Sequence, residues 1–167
     1  MKFNPRAARN VAMLISIPGV VVALFFALNL RINLSVSHVG VGIWKAFPAV
    51  SVNVGDVITY DKDAFYGVYP QMREERMRFM SSIIVKRVAA MPGALVERSG
   101  DAVMIDGIPY TEALILDDSW RRVEYPLLVP EGMVWLMADS RRAYDSRYHG
   151  PVPMSLIREK LKPVLVW

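Results

Sequence analysis

The 167-residue sequence predicts a mainly β domain, a sandwich or partly closed barrel, carried behind one N-terminal transmembrane helix. Three features support this. The run from Asn10 to Leu30 is uncharged and mostly apolar. After Arg31 the pattern turns to short alternating segments punctuated by Gly and Pro. One stretch, Gln71 to Met80, has charged helical character. Many short strands with a single short helix make an all-β architecture.

The apolar run is long enough for a bilayer, since ~20 helical residues cover the ~30 Å hydrocarbon core. Pro18 and Gly19 would interrupt a soluble helix, but membrane spans tolerate both. A core helix would carry a polar stripe, and this run has none. A cleaved signal peptide would show a shorter apolar region of ~7–15 residues closed by a small-x-small site. Phe25 to Leu30 offers no such site, so the run reads as a retained anchor. Lys2, Arg6 and Arg9 precede it, and the positive-inside bias leaves residues 1–9 in the cytoplasm. Residues 10–30 are then the anchor and residues 31–167 an exported domain.

Within that domain, Val52 to Tyr60 reads as a strand interrupted by a Gly55-Asp56 turn. Gln71 to Met80 is a solvated helix in which Glu74 is spaced to pair with Arg78. Ile83 to Ala90 is a strand closed by Pro92-Gly93, and Ala102 to Tyr110 a hairpin turning on Asp106-Gly107. Pro130-Glu131-Gly132 opens a strand from Met133 to Met137, and Val164 to Trp167 closes the sheet.

Charge excludes one class of partner. The formal net charge is +4, and Lys2, Arg6, Arg9 and Arg31 account for all of it. The remaining bases balance the 16 acids, so the exported domain has no net field for a polyanion, and nucleic acid is not an expected partner. The chain has no cysteine, which removes disulfides, thiolate metal sites and a cysteine nucleophile. His38 and His149 have no metal-ligand spacing, so neither a metal nor a cofactor is expected.

Without a usable His or Cys, hydrolysis at neutral pH needs another base. Strand alternation puts Lys86 on one face with Ile84 and Val88, its amine against an apolar wall. Desolvation lowers the pKa of such a lysine, and a neutral amine can take a proton from a serine hydroxyl. The plain alternative is an edge lysine with its stem packed and its head in water. Ser35 and Ser37 lie just past the anchor, before Gly40 and Gly42, where exposed backbone N–H groups are available.

Together these segments resemble the type I signal peptidase superfamily. Val85-Lys86-Arg87-Val88-Ala89-Ala90-Met91-Pro92-Gly93 is similar to its lysine motif, and Asp145-Ser146-Arg147-Tyr148-His149-Gly150-Pro151 to its Asp-Ser-Arg motif. Leu128 to Arg141 resembles the strand and loop leading into that motif, and Val54-Gly55-Asp56-Val57 the Gly-Asp strand. Asn33-x-Ser35-x-Ser37, the following glycines and Trp44 resemble the conjugative-transfer, TraF-type branch.

The resemblance implies a signal-peptidase-like β fold and a Ser-Lys endopeptidase in a bacterial inner membrane, its catalytic domain periplasmic. Its partners would be the bilayer and a membrane-bound precursor, in this branch a conjugative pilin that is cleaved and in some cases cyclised. A general signal peptidase and a catalytically silent binding subunit are the alternatives. Ser37 is the implied nucleophile and Lys86 the base. Ser35 would supply an oxyanion hydroxyl, and Asp145 with Arg147 a supporting salt bridge. The sequence departs from the pattern in three places. Val39 stands where the TraF pattern has proline, Ala138-Asp139-Ser140 replaces Gly-Asp-Asn, and Ala143 and Tyr144 stand where a lysine-orienting serine is common. Ser140 is the expected substitute for that serine.

Overall fold

The computed structural model describes residues 18–34, 39–73, 81–114, 123–140 and 143–167. In chain order the elements are α1 (18–27), β1 (Leu30–Asn33), β2 (Gly42–Pro48), β3 (Val57–Asp61), α2 (Lys62–Val68), β4 (Ile83–Ala90) and β5 (Leu95–Ser99). They continue with β6 (Ala102–Ile105), β7 (Ile108–Leu114), β8 (Leu127–Leu128), β9 (Met133–Met137), α3 (Ser146–His149), β10 (Val152–Pro153) and β11 (Ile157–Val166). One sheet has seven strands in the order β1-β2-β11-β3-β4-β9-β10, and a second has four in the order β7-β6-β5-β8. The domain is mainly β, as the sequence predicts.

Strand β4 has the predicted bounds, and its inner positions alternate: Ile84, Lys86 and Val88 are buried while Val85 and Arg87 are half-buried. A register shift against β9 between Val88 and Ala90 marks a bulge. Past it, Ala89 and Ala90 pack into a core with Val96, Val103, Trp135 and Met137, which joins the two sheets. Before it, Ile84 and Val88 pack with Ile58, Tyr60, Phe65, Leu136 and Val152. A third cluster of Val39, Trp44, Ala46, Val57 and Leu161 receives Val85 from the opposite side of β4. The bulge thus lets one strand serve both the domain core and the wall around Lys86.

The predicted hairpin is β6-β7. Asp106 and Gly107 both have positive φ, 49° and 76°, as a tight two-residue turn needs. Strand β9 also has the predicted bounds.

Three readings change. Only the second half of Val52–Tyr60 is a strand, because the turn at Gly55, with φ 90°, precedes all of β3. The closing strand is ten residues long and lies between β2 and β3 rather than at an edge. Its charges are absorbed by neighbours, Glu159 on Arg31 at 2.6 Å and Lys160 on Asp56 at 2.6 Å. The helix α2 was not expected. Asp61 caps it by accepting from the Ala64 N–H at 3.0 Å, and Phe65 and Tyr66 bury its inner face.

Of the stretch expected to be helical from Gln71 to Met80, residues 70–72 form a 3₁₀ turn and residues 74–80 lie outside the described residues. Of the expected anchor, residues 10–17 lie outside them as well. The described part of α1 ends at 27, and Leu30 already pairs with Lys45 in the sheet. Among the described residues, no helix is long and apolar enough to cross a membrane.

Candidate active site

Lys86 is 3% exposed, in register with Ile58 of β3 and on the apolar face shared with Ile84 and Val88. No described residue forms a hydrogen bond or ion pair with its amine. Burial lowers its pKa to about 8; the Asp145 carboxylate opposes that shift, Arg147 adds to it, and Asp139 opposes it. Arg87, the next residue, points the other way and binds Asp139 at 2.8 Å near the surface.

Asp145 and Arg147 form a closed unit at the start of α3. Both side chains are fully buried, and Arg147 Nη2 lies 2.7 Å from Asp145 Oδ2 while its Nε donates to Oδ1 at 2.8 Å. Asp145 also accepts from the backbone N–H of Ala138 and of Arg147, and Arg147 donates to the Ser140 and Ala143 carbonyls. Burial works against the carboxylate, but Arg147, Lys86 and the Ala138 N–H hold its pKa below the ordinary value. Between them Ser146 turns inward, its Oγ accepting from the Leu136 N–H at 2.9 Å. The motif therefore ties α3 to β9, the neighbour of β4, and sets the field at Lys86.

Of the sequence-predicted site residues, the structure brings Lys86, Asp145 and Arg147 together. Ser35 and Ser37 lie outside the described residues. Ser140 reaches this unit through its carbonyl, which accepts from Arg147, and makes no hydrogen bond to Lys86. Among the described residues, no cluster of acids and histidines is arranged to hold a metal ion.

A groove of about 1120 Å³, which sequence reasoning did not anticipate, runs past β4 at Ile83 to Val85, the residues just before Lys86; Lys86 itself does not line it. Its lining comes from Arg31 to Leu34 of the β1 region, Trp44 of β2, Thr59 and Asp61 of β3, Ser81 and Ile83 to Val85, and Arg158, Glu159 and Leu161 of β11. Strand β1 pairs only with β2, and β4 pairs with β9 only from Arg87 onward. The groove thus spans from β1 across β2, β11 and β3 to β4, and β1 and the first half of β4 each keep an unpaired edge among the described residues. Such pairing emerges only on folding, so no local sequence signal marks it.

The profile of the signal peptidase family, peptidase S26, matches residues 12–167. The chain belongs to that family. This is a family of serine proteases that act on exported precursor proteins. Two relatives are of the TraF type: a conjugal transfer protein TraF of Agrobacterium fabrum, 35% identical over 50% of this chain and 49% of its own, and a probable one of Sinorhizobium fredii, 31% identical over 89% and 83%. A probable signal peptidase I-1 of Synechocystis is 30% identical over 62% of this chain and 50% of its own. The chain thus spans about half the length of two of these relatives. A crystallised signal peptidase I from Enterococcus faecalis superposes with a TM-score of 0.43 at 21% identity, over 67% of this chain and 97% of that one. Within the family, this is a peptidase S26 chain of the TraF type.

Proposed function

We propose that the protein is a membrane-anchored Ser-Lys endopeptidase that processes a conjugative pilin, with Ser37 as nucleophile and Lys86 as general base. The observation that carries this reading is the amine of Lys86, buried without a counterion in contact among the described residues and lowered to a pKa of about 8, on a strand whose preceding residues, Ile83 to Val85, line a peptide-sized groove. Ordinary lysines are protonated throughout the neutral range and cannot serve as bases. A TraF relative aligned over 89% of the chain supports the conjugative branch.

Neutral Lys86 takes the Ser37 proton as the serine oxygen attacks the scissile carbonyl. The tetrahedral oxyanion is held by the Ser37 backbone N–H and the Ser35 hydroxyl. As the peptide C–N bond breaks, the Lys86 ammonium returns the proton to the leaving amine, leaving an acyl-enzyme. Water then releases an acid, or the amino terminus of the same pilin attacks and closes a ring. The precursor would lie extended in the groove, completing the free edges of β1 and β4 with main-chain hydrogen bonds. Asp145 and Arg147 support the lysine without contacting substrate. The apolar run at residues 10–30 anchors the chain in the inner membrane, its peptidase domain on the periplasmic side.

The Synechocystis relative favours a second reading, a general signal peptidase serving many precursors. Co-expression with a cognate pilin and intact-mass spectrometry decides. The proposal expects mature pilin with the active chain and none with Ser37→Ala or Lys86→Ala, and a cyclised product one water lighter than a hydrolysed one. Normal processing by either variant sinks the Ser-Lys assignment. Equal cleavage of unrelated precursors favours the general enzyme.

A further inference from the structure

His149 is 2% exposed and has no part in the chemistry above. Its ring packs against Phe65 at 5.0 Å and Tyr144 at 5.4 Å. Phe65 belongs to the cluster that contains Ile84 and Val88, the two residues flanking Lys86 on its own face. The imidazole therefore packs, through Phe65, on the cluster whose Ile84 and Val88 flank Lys86, and the two groups interact electrostatically.

The orientation of the ring fixes its chemistry. Nδ1 lies 2.9 Å from the Gly150 carbonyl, which can only accept, so Nδ1 carries the proton. Nε2 is then a lone pair, and it has no hydrogen-bond partner among the described residues. Two other buried nitrogens share that condition, the indoles of Trp44 and Trp135, but both are donors. His149 Nε2 is the acceptor of the three. Burial lowers the His149 pKa to about 4, with Asp145 opposing and Lys86 adding to the shift, so the ring stays neutral wherever the enzyme works. The titratable group in contact with the ring is Tyr144, and the charges that act on it from further away are Asp145 of its own segment and Lys86 of β4.

A lysine acting as a base needs more than neutrality. Its two N–H bonds must be held so that the nitrogen lone pair faces the serine. Neither Ser140 nor Ala143 supplies that acceptor, the first because it makes no bond to Lys86 and the second because it has no polar side chain. We propose that His149 is the positioning residue for Lys86: its Nε2 accepts, through one water, an N–H of the lysine amine and turns the lone pair toward the nucleophile. This rests on the Ser-Lys reading.

The test uses the full chain in detergent or nanodiscs with a precursor peptide, following kcat and KM from pH 6 to 10. His149→Phe keeps an aromatic in an aromatic setting but removes the acceptor. The expected result is a kcat lower by about tenfold to a hundredfold at unchanged KM, with the midpoint of the alkaline rise moved below about 8, because the acceptor also favours the ammonium. His149→Gln, which retains an acceptor, should recover most of the rate. A folded His149→Phe enzyme with wild-type kcat and midpoint overturns the proposal. Should that variant not fold, the Nε2 ¹⁵N shift of His149 decides. It should change in Lys86→Met, and an unchanged shift overturns the proposal. Activity in Ser37→Ala or Lys86→Ala would instead break the Ser-Lys reading itself, so the two failures are distinguishable.

Discussion

Lys86 on β4 and Arg147 on α3 are both buried cations, yet the protein treats them in opposite ways. Arg147 is enclosed by a carboxylate and two carbonyls, and its guanidinium is held more firmly protonated than usual despite burial. Lys86 has an apolar wall and no hydrogen-bond or ion-pair partner among the described residues, and burial lowers its pKa. A buried charge is stable only when paired. Pairing makes Arg147 a fixed part of the scaffold, and its absence leaves Lys86 as a group that can exchange a proton at working pH.

The largest expected effect breaks the unpaired member. Lys86→Ala should lower cleavage by on the order of 10⁴-fold, measured as kcat on a precursor peptide, while the fold persists. Next comes the paired member. Asp145→Asn leaves Arg147 buried without its counterion and should cost about 3–5 kcal/mol in denaturant unfolding. Replacing Asp145 and Arg147 together with apolar residues of similar size should cost less than removing the carboxylate alone.

The comparison also predicts a gain. An unfolded lysine keeps its proton up to about 10.4, whereas Lys86 loses it near pH 8. Between those values the unfolded chain binds more protons, so stability rises with pH across that window, and the cost is fully present below about 8. Lys86→Met should therefore raise the unfolding free energy at pH 7 by up to about 3 kcal/mol, and the gain should shrink above pH 8. In the wild-type enzyme the same titration should make kcat/KM rise through a midpoint near pH 8. The smallest effect is at Arg87, whose pair with Asp139 is partly exposed. Arg87→Ala should cost under ~1 kcal/mol.

How much of this was legible in the sequence depends on the range of the interactions. Strand β4 and the burial of Lys86 follow from period-two alternation, a local property. Asp145 and Arg147 sit two positions apart, so their pairing is local as well. The sequence shows only Val164 to Trp167 as the closing strand, whereas β11 starts at Ile157 and includes the charged Arg158, Glu159 and Lys160. Their partners Asp61, Arg31 and Asp56 lie about a hundred residues away or more, and only the fold brings them near. Pro163, which cannot donate to a ladder, sits where the register with β2 shifts, at a bulge that tolerates it. The groove and the lone pair of His149 are likewise products of long-range packing.

The placement of β11 has a consequence for how the enzyme comes into being. It is the last of the described strands in chain order, and it lies between β2 and β3, which have no other link in the sheet among the described residues. As a ribosome extends the chain, the β1-β2 hairpin and the β3-β4 pair can form early, but they remain two separate pieces. Only when β11 emerges does it join them and bring β1 into line with β4, the strand that carries Lys86. A chain cut short before Ile157 would thus carry both proposed catalytic residues on sheet fragments that no strand joins.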